Sequence, residues 1–158
     1  LRSLLEMAEQ NYTYESVFRH LRTGLCGFDC DEVDRLENYC LALGIKGYRK
    51  WQQAWVRRTG NTDEEELAEL NHLRVIFVEK TAGLMGILKQ RKKTVRDVTL
   101  AVYEYLVQEK LQEKLKIMEL DFQEQGELAL AKEYAQVYRI VIDLFDKFVG
   151  LLCGAEIS

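Results

Sequence analysis

The chain contains no proline in its 158 residues, although an average usage of about 5% would supply about eight. Proline disrupts helix interiors because its ring clashes with the preceding turn and its nitrogen has no hydrogen to donate. Leucine, glutamate, lysine, alanine and glutamine, which favour helices, are abundant instead. We therefore predict an all-α fold.

Two stretches in the N-terminal third have apolar side chains at three- and four-residue intervals, the periodicity of a helix with one buried face. The first stripe consists of Tyr14, Val17, Phe18, Leu21 and Leu25. The second, which ends at Gly44, consists of Val33, Leu36, Tyr39, Cys40 and Leu43. Gly24 and Gly27 lie between the two stripes, so the sequence predicts a helical hairpin.

Three longer helices are predicted after the hairpin, each with its own apolar stripe. Thr62 and Glu65 fit a capping box at the start of the first, and Thr94 and Asp97 fit a weaker one at the start of the second. The predicted helices cover residues 62–90, 94–118 and 127–152.

These elements lead to a predicted architecture and domain organisation. We expect the helical hairpin to pack against one end of an antiparallel bundle of the three long helices. The length suits one domain with a sizeable core. Residues 1–158 are therefore expected to form a single helical domain, with the hairpin and a Trp-rich connector in 1–61 and the bundle in 62–158.

The net charge is -4, with 22 basic and 26 acidic residues, so nucleic-acid binding would require a local basic patch. Residues 46–58 form such a patch, because cations alternate there with aromatic rings, a combination suited to DNA or RNA. The candidate DNA-contact residues are Lys46, Arg49, Lys50, Trp51, Arg57 and Arg58. In the alternative interpretation, Trp51 and Trp55 anchor an irregular connector to the core, and the basic head groups are simply solvated.

We predict no catalytic, cofactor-binding or metal-binding residue in this chain. The phosphate-binding pattern GxxxxGK[ST] does not occur. His20, which we expect at a helix surface, and His72 lie far apart in sequence and lack a nucleophile motif. The acidic clusters at 29–34 and 63–66 lie at predicted helix starts, where the helix dipole favours negative charge without a metal.

The cysteines and the hydrophobicity of the sequence indicate the cellular compartment of the protein. Cys26, Cys30, Cys40 and Cys153 are expected to be reduced thiols of a cytoplasmic protein, because their spacing fits neither a CxxC pair nor a zinc site. The sequence contains no run of 18 apolar residues and no signal peptide, so we predict no membrane contact. Since the sequence also lacks an initiator methionine, we expect it to be a piece of a larger protein. We expect this piece to be monomeric.

Two segments of the sequence resemble a known protein family. They are FRHLRTGL at residues 18–25 and EVDRLENYCLALGIKG at residues 32–47, and a Trp-rich stretch follows them. The chain closely resembles the AddB family, the B subunits of the ATP-dependent helicase/deoxyribonuclease of Gram-positive bacteria. The resemblance is dense over residues 1–55 and more diffuse afterwards.

The resemblance implies a role for the chain in a much larger subunit. It would be a non-catalytic helical accessory domain, similar to the 2B domain inserted in the second motor domain of UvrD-like helicases. It would help to frame the DNA path or the subunit interface in double-strand-break repair and recombination. The parent would partner an A subunit and duplex DNA, and would use ATP, Mg and a 4Fe-4S cluster bound elsewhere, so no cofactor is expected in this chain.

Two other functions remain open from the sequence. One is a helical protein-interaction adaptor unrelated to helicases. The other is a helix-turn-helix regulator that reads nucleic acid with residues 31–43. That helix carries four carboxylates, which would repel phosphate groups. They are Asp31, Glu32, Asp34 and Glu37.

Overall fold

The structure, a computed structural model, describes the backbone of residues 2–154 and the side chains of that range except those of 149 and 151–154. The described residues form eight α-helices and no strand, which confirms the predicted all-α class. Within the same range, no helix is both long enough and apolar enough to cross a membrane. The predicted thiol of Cys153 lies outside the described side chains.

The chain divides into two compact units, Leu1–Lys93 and Thr94–Ser158, called unit 1 and unit 2 below. The helices of unit 1 are α1 Arg2–Glu9, α2 Tyr14–Leu21, α3 Cys30–Leu43, α4 Tyr48–Gln52 and α5 Glu64–Leu88. Those of unit 2 are α6 Val95–Gln108, α7 Leu111–Glu124 and α8 Leu128–Gly154.

Within unit 1, the first long helix, α5, packs on α3 and α4. One predicted helix of unit 2 differs from the observed structure. The predicted helix over 94–118 is two helices, because Lys110 has a left-handed backbone with φ of 52°. The apolar stripe steps by five residues from Leu106 to Leu111, which is out of phase with one continuous helix.

Polar side chains cap the starts of α2, α3, α5 and α6. In α3, Asp29 and Glu32 form a capping box, and the predicted box of Thr94 with Asp97 is present in α6. Such caps satisfy backbone N–H groups that have no partner within the helix. The predicted box of Thr62 and Glu65 is wrong by one residue, because Asp63 caps α5 and accepts from the backbone of Glu66.

The core of unit 1 is an aromatic cluster. Trp51 lies at its centre, with ring centroids 5.0 Å from Phe77, 5.1 Å from Trp55 and 6.3 Å from Phe18. Tyr12 joins the cluster at 6.1 Å from Phe77. Most pairs are edge-to-face, the geometry that ring quadrupoles favour. The cluster therefore ties α2, α4 and α5 to the connectors between them.

A second buried group lies where α1 meets α2. His20 is 0% exposed, with its Nδ1 atom 3.2 Å from Ser3 Oγ and its Nε2 atom 3.6 Å from Cys26 Sγ. Burial lowers the pKa of His20 to about 4, because an enclosed imidazole loses the hydration of its charged form. The predicted surface position of His20 is therefore wrong, since the helical stripe of α2 includes it in the interior.

Unit 2 is held by contacts among its three helices, the most extensive of which join α7 to α8. Phe122 packs on Tyr134 with ring centroids 5.0 Å apart, and Lys116 lies over the ring of Tyr138. This register shows that α7 and α8 run antiparallel across the turn at Gly126, where φ is 76°. A positive φ of this size suits glycine.

Candidate nucleic-acid interface

The connector between α3 and α5 carries the predicted DNA-contact residues, and polar side chains of α5 fix its path. Asn71 accepts from the backbone nitrogen of Trp55 at 2.9 Å and donates to its carbonyl at 2.8 Å. Arg74 donates to the carbonyl of Trp51 at 2.9 Å. These bonds satisfy backbone groups at the end of α4 and in the irregular stretch that follows it.

The two tryptophans of the connector lie in the core. Trp51 is 1% exposed and Trp55 is 6% exposed. Their burial leaves no free ring face for stacking on a nucleotide base and supports the interpretation in which both tryptophans anchor the connector. The indole of Trp55 also donates to the carbonyl of Lys50 at 3.0 Å, which makes both rings anchors of the connector.

The five predicted basic side chains, all exposed, are Lys46, Arg49, Lys50, Arg57 and Arg58. The structure places a sixth cation, Lys89, beside three of them. The first three line a cleft of about 500 Å³ together with Lys89, Asn11, Gly47 and Tyr48. We call Lys46, Arg49, Lys50 and Lys89 the cationic cleft. No carboxylate is found among the described residues that line it.

The backbone of the cationic cleft is held by a turn between α1 and α2. The N–H of Gly47 donates to the carbonyl of Tyr12 at 3.0 Å, and that of Tyr48 donates to the Asn11 side chain at 3.3 Å. Asn11 and Tyr12 both have positive φ, 52° and 58°, a conformation that costs free energy in a bulky residue. Gly47 has φ of 95°, which glycine adopts without such a cost.

Lys89 reaches the cleft from the end of α5. Its ammonium nitrogen lies 3.4 Å from the centroid of the Tyr48 ring, a cation–π contact. Partial burial lowers the pKa of Lys89. On the opposite wall, Lys50 donates to the carbonyl of Gly44 at 2.8 Å, so it also satisfies the end of α3.

Arg57 and Arg58 lie in a different setting. Arg58 forms an ion pair with Glu64 at 3.5 Å. Arg57 borders a pocket of about 220 Å³ whose walls are mainly apolar, with Tyr39 and Trp55 among them. The carbonyl of Arg57 accepts from Tyr39 Oη at 2.5 Å. Lys50 lines both this pocket and the cationic cleft, so it connects the cleft with the pocket that Arg57 borders.

Known proteins resemble this chain over almost its whole length. A protein from Lachnoclostridium phytofermentans is 37% identical over 155 residues, covering 96% of this chain and 14% of that protein. Relatives from Clostridium botulinum strain Loch Maree and Clostridioides difficile are 36% and 35% identical over 99% and 98% of the chain, again 14% of each relative. All three are named as the B subunit of an ATP-dependent helicase/deoxyribonuclease.

The resemblance to AddB-type subunits is confirmed. This chain spans about 14% of the length of these curated relatives. No protein-family model matches it.

The described residues of this AddB-like chain include no group that fits the metal cluster implied for the parent. Within residues 2–154, excluding the undescribed side chains, no group of three or more His, Cys, Asp or Glu is placed to hold a metal ion. Cys26 and Cys40 are buried and Cys30 is exposed, and none of the three forms a disulfide. Burial raises the pKa of Cys40 to about 12, so its thiol stays protonated.

Sequence reasoning missed three residues that shape the interface. Asn71 and Arg74 belong to a long amphipathic helix, and nothing in the pattern shows that they face a connector. Lys89 lies 39 positions after Lys50 and meets it only because α5 returns to the same end of unit 1. A cation at the end of a helix is a weak signal that could have prompted a search there.

Proposed function

We propose that this chain is a non-catalytic helical segment of an AddB-type subunit that acts in double-strand-break repair and recombination. The observation that carries the proposal is its match to AddB-type relatives over 96–99% of the chain. In the parent, the segment helps to frame the DNA path or the interface with the A subunit. The parent is an ATP-dependent helicase and deoxyribonuclease in the cytoplasm.

The described part of unit 1 contains one cluster that resembles a nucleophile–base arrangement, and the burial of this cluster supports a non-catalytic role. Ser3, His20 and Cys26 lie within contact distance, but His20 and Cys26 are 0% and 1% exposed. A substrate could not reach them, and an imidazole with a pKa of about 4 is a weak base at neutral pH. ATP, Mg and the 4Fe-4S cluster of the parent would bind in other parts of the subunit.

Contact with DNA is assigned to the exposed cations of the connector. The buried tryptophans and α5 hold the backbone of the connector in place. The exposed cations on this backbone are Lys46, Arg49, Lys50, Arg57 and Arg58. Such cations bind phosphate groups without reading the base sequence. Because the chain has a net charge of -4, we expect the contact to matter within the heterodimer and to be weak in the segment alone.

The alternative of a helix-turn-helix regulator finds little support in α3. Arg22 pairs with Asp34 at 3.0 Å and also with Glu37, while Arg35 pairs with Glu69. The solvent-facing side of α3 is therefore a network of ion pairs. An adaptor role is favoured by one observation, the exposed apolar side chains on α7 and α8, among them Ile117 and Ile140 at 58%.

The DNA contact is tested in the parent heterodimer by reversing Arg49, Lys50, Arg57 and Arg58 to Glu. We expect weaker binding to a labelled duplex and a shallower dependence of affinity on salt, by about 0.9 in log–log slope for each lost phosphate contact. Binding would be titrated at two salt concentrations. Equal affinities and equal slopes for the wild-type and reversed enzymes would contradict this assignment.

A further inference from the structure

We propose that the cationic cleft is a binding site for a phosphodiester group of nucleic acid, and that Lys89 is one of the four cations that bind it. The inference rests on the proposed function and deepens it, because it separates the cleft from Arg57 and Arg58. It also adds a residue that no sequence pattern placed near the connector. The ligand is recognised through its phosphate oxygens, whether the source is duplex or single-stranded DNA.

The positive charge of the cleft is uncompensated. Four cations from α5 and the connector meet there, and among the described residues no carboxylate lies within ion-pair distance of any of them. Elsewhere in unit 1, several arginines are balanced by carboxylates. Arg22 pairs with two carboxylates, Arg35 pairs with Glu69, and Arg58 pairs with Glu64. A concave site with unbalanced positive charge concentrates anions.

The backbone of the cleft is held in place by buried neighbours and by hydrogen bonds. Tyr12 is 1% exposed and contacts Tyr48 at 5.2 Å between ring centroids. Two hydrogen bonds then join the Asn11–Tyr12 turn to Gly47 and Tyr48. Backbone in a costly conformation persists only where its surroundings hold it firmly. A site held in this way loses little conformational entropy when it binds an anion.

The cleft suits a phosphate group and not a base. The Lys89 ammonium group lies 3.4 Å from the centroid of the Tyr48 ring, so one face of the only aromatic ring in the described cleft is already occupied. The other rings nearby, Trp51 and Trp55, are buried. One face of the Tyr48 ring and both tryptophan rings are therefore unavailable to a base, while the four cations can serve as ligands for oxyanions. An anion beside Lys89 would also favour its charged form, which partial burial disfavours.

The test uses the parent heterodimer with Lys89→Gln, which removes one charge while keeping a long side chain. We expect the log–log salt slope to fall by about 0.9 with duplex DNA, or about 0.7 with a single strand. With duplex, the affinity deficit of the variant would then be about 3.5-fold larger at 50 mM salt than at 200 mM. Titrating both DNA forms of one sequence shows which source occupies the cleft.

Two further variants make the test specific. Lys132→Gln removes an exposed lysine of α8 and should leave affinity and slope unchanged, whereas Lys89→Arg keeps the charge and should retain the wild-type slope. If Lys89→Gln behaves like Lys132→Gln with both DNA forms, the inference is overturned. If reversing Arg57 and Arg58 alone still changes the slope in that case, the proposed function stands without the cleft. If neither change has an effect, both fail.

Discussion

Units 1 and 2 are both helical, but they are held together differently. In unit 1, side chains of α5 bond to backbone far away in sequence, as Asn71 does to Trp55 and Arg74 to Trp51. In unit 2, ring and apolar contacts dominate, such as Tyr103 with Phe145 at 5.2 Å. Polar cross-links therefore position an irregular connector in unit 1, whereas unit 2 is a layer of helices.

The two units also differ in the apolar surface that they leave exposed. Among the described side chains of unit 1, the exposed large apolar ones are Leu5, Leu41, Val56 and Val75. Among those of unit 2, they are Val95, Val107, Ile117, Met118, Leu120, Leu128, Val137, Ile140 and Leu144. Of the described apolar side chains, unit 1 thus buries a larger share in its own core than unit 2, the shorter of the two.

The largest expected effect is loss of the aromatic core of unit 1. Trp51→Ala should lower the free energy of unfolding by about 3–5 kcal/mol, because it leaves a cavity among Phe18, Trp55 and Phe77. Ile140→Ala in unit 2 removes a side chain that is 58% exposed and should cost less than about 0.5 kcal/mol. Denaturant titrations of the chain would measure both. A large loss in Ile140→Ala would show that this face of α8 is packed in solution and that the two units do not differ in this respect.

A pH effect of similar size is expected from His20 in unit 1. Its pKa falls from 6.5 when unfolded to about 4 when folded, so the unfolded chain binds the proton first. Stability should therefore be full above pH 6.5 and fall on the order of 3 kcal/mol as the pH drops to 4. The difference in unfolding free energy between wild type and His20→Gln, measured across this range, isolates the effect. A constant difference would mean that His20 is accessible to water.

A smaller effect is expected where α5 holds the connector. Asn71→Ala removes the partners of the Trp55 N–H and carbonyl groups, and each unsatisfied group costs about 1–3 kcal/mol when it stays buried. Asn38→Ala, an exposed asparagine of α3, serves as the matched control. Amide hydrogen exchange should show faster exchange at Trp55 in the first variant only. Unchanged protection at that amide would indicate that the tryptophan rings alone fix the connector.

Much of the fold could be predicted from local chemistry. The absence of proline and the apolar stripes predicted helices, and the glycine at position 44 ends α3 in the left-handed conformation that its residue type favours. The break at Lys110 could not be predicted from residue type, because no glycine or proline marks it. The same holds for the grouping of α5 with unit 1, which depends on tertiary contacts with α3 and α4.

The candidate site was only partly predictable. Sequence placed five cations in one connector, and all five are exposed. It could not tell that Trp51 is buried, because an aromatic residue beside cations suits either a stacking platform or a core anchor. It also could not bring Lys89 to Tyr48, since that contact depends on the path of α5 through unit 1.

Amide hydrogen exchange of the heterodimer, with and without duplex DNA, would show whether the connector of unit 1 faces DNA in the parent enzyme. We expect DNA to slow exchange in residues 45–58 and around Lys89, and a higher salt concentration to reverse this protection. No comparable change is expected in residues 94–148. Exchange in the connector that is the same with and without DNA, at low salt and saturating duplex, would contradict the claim.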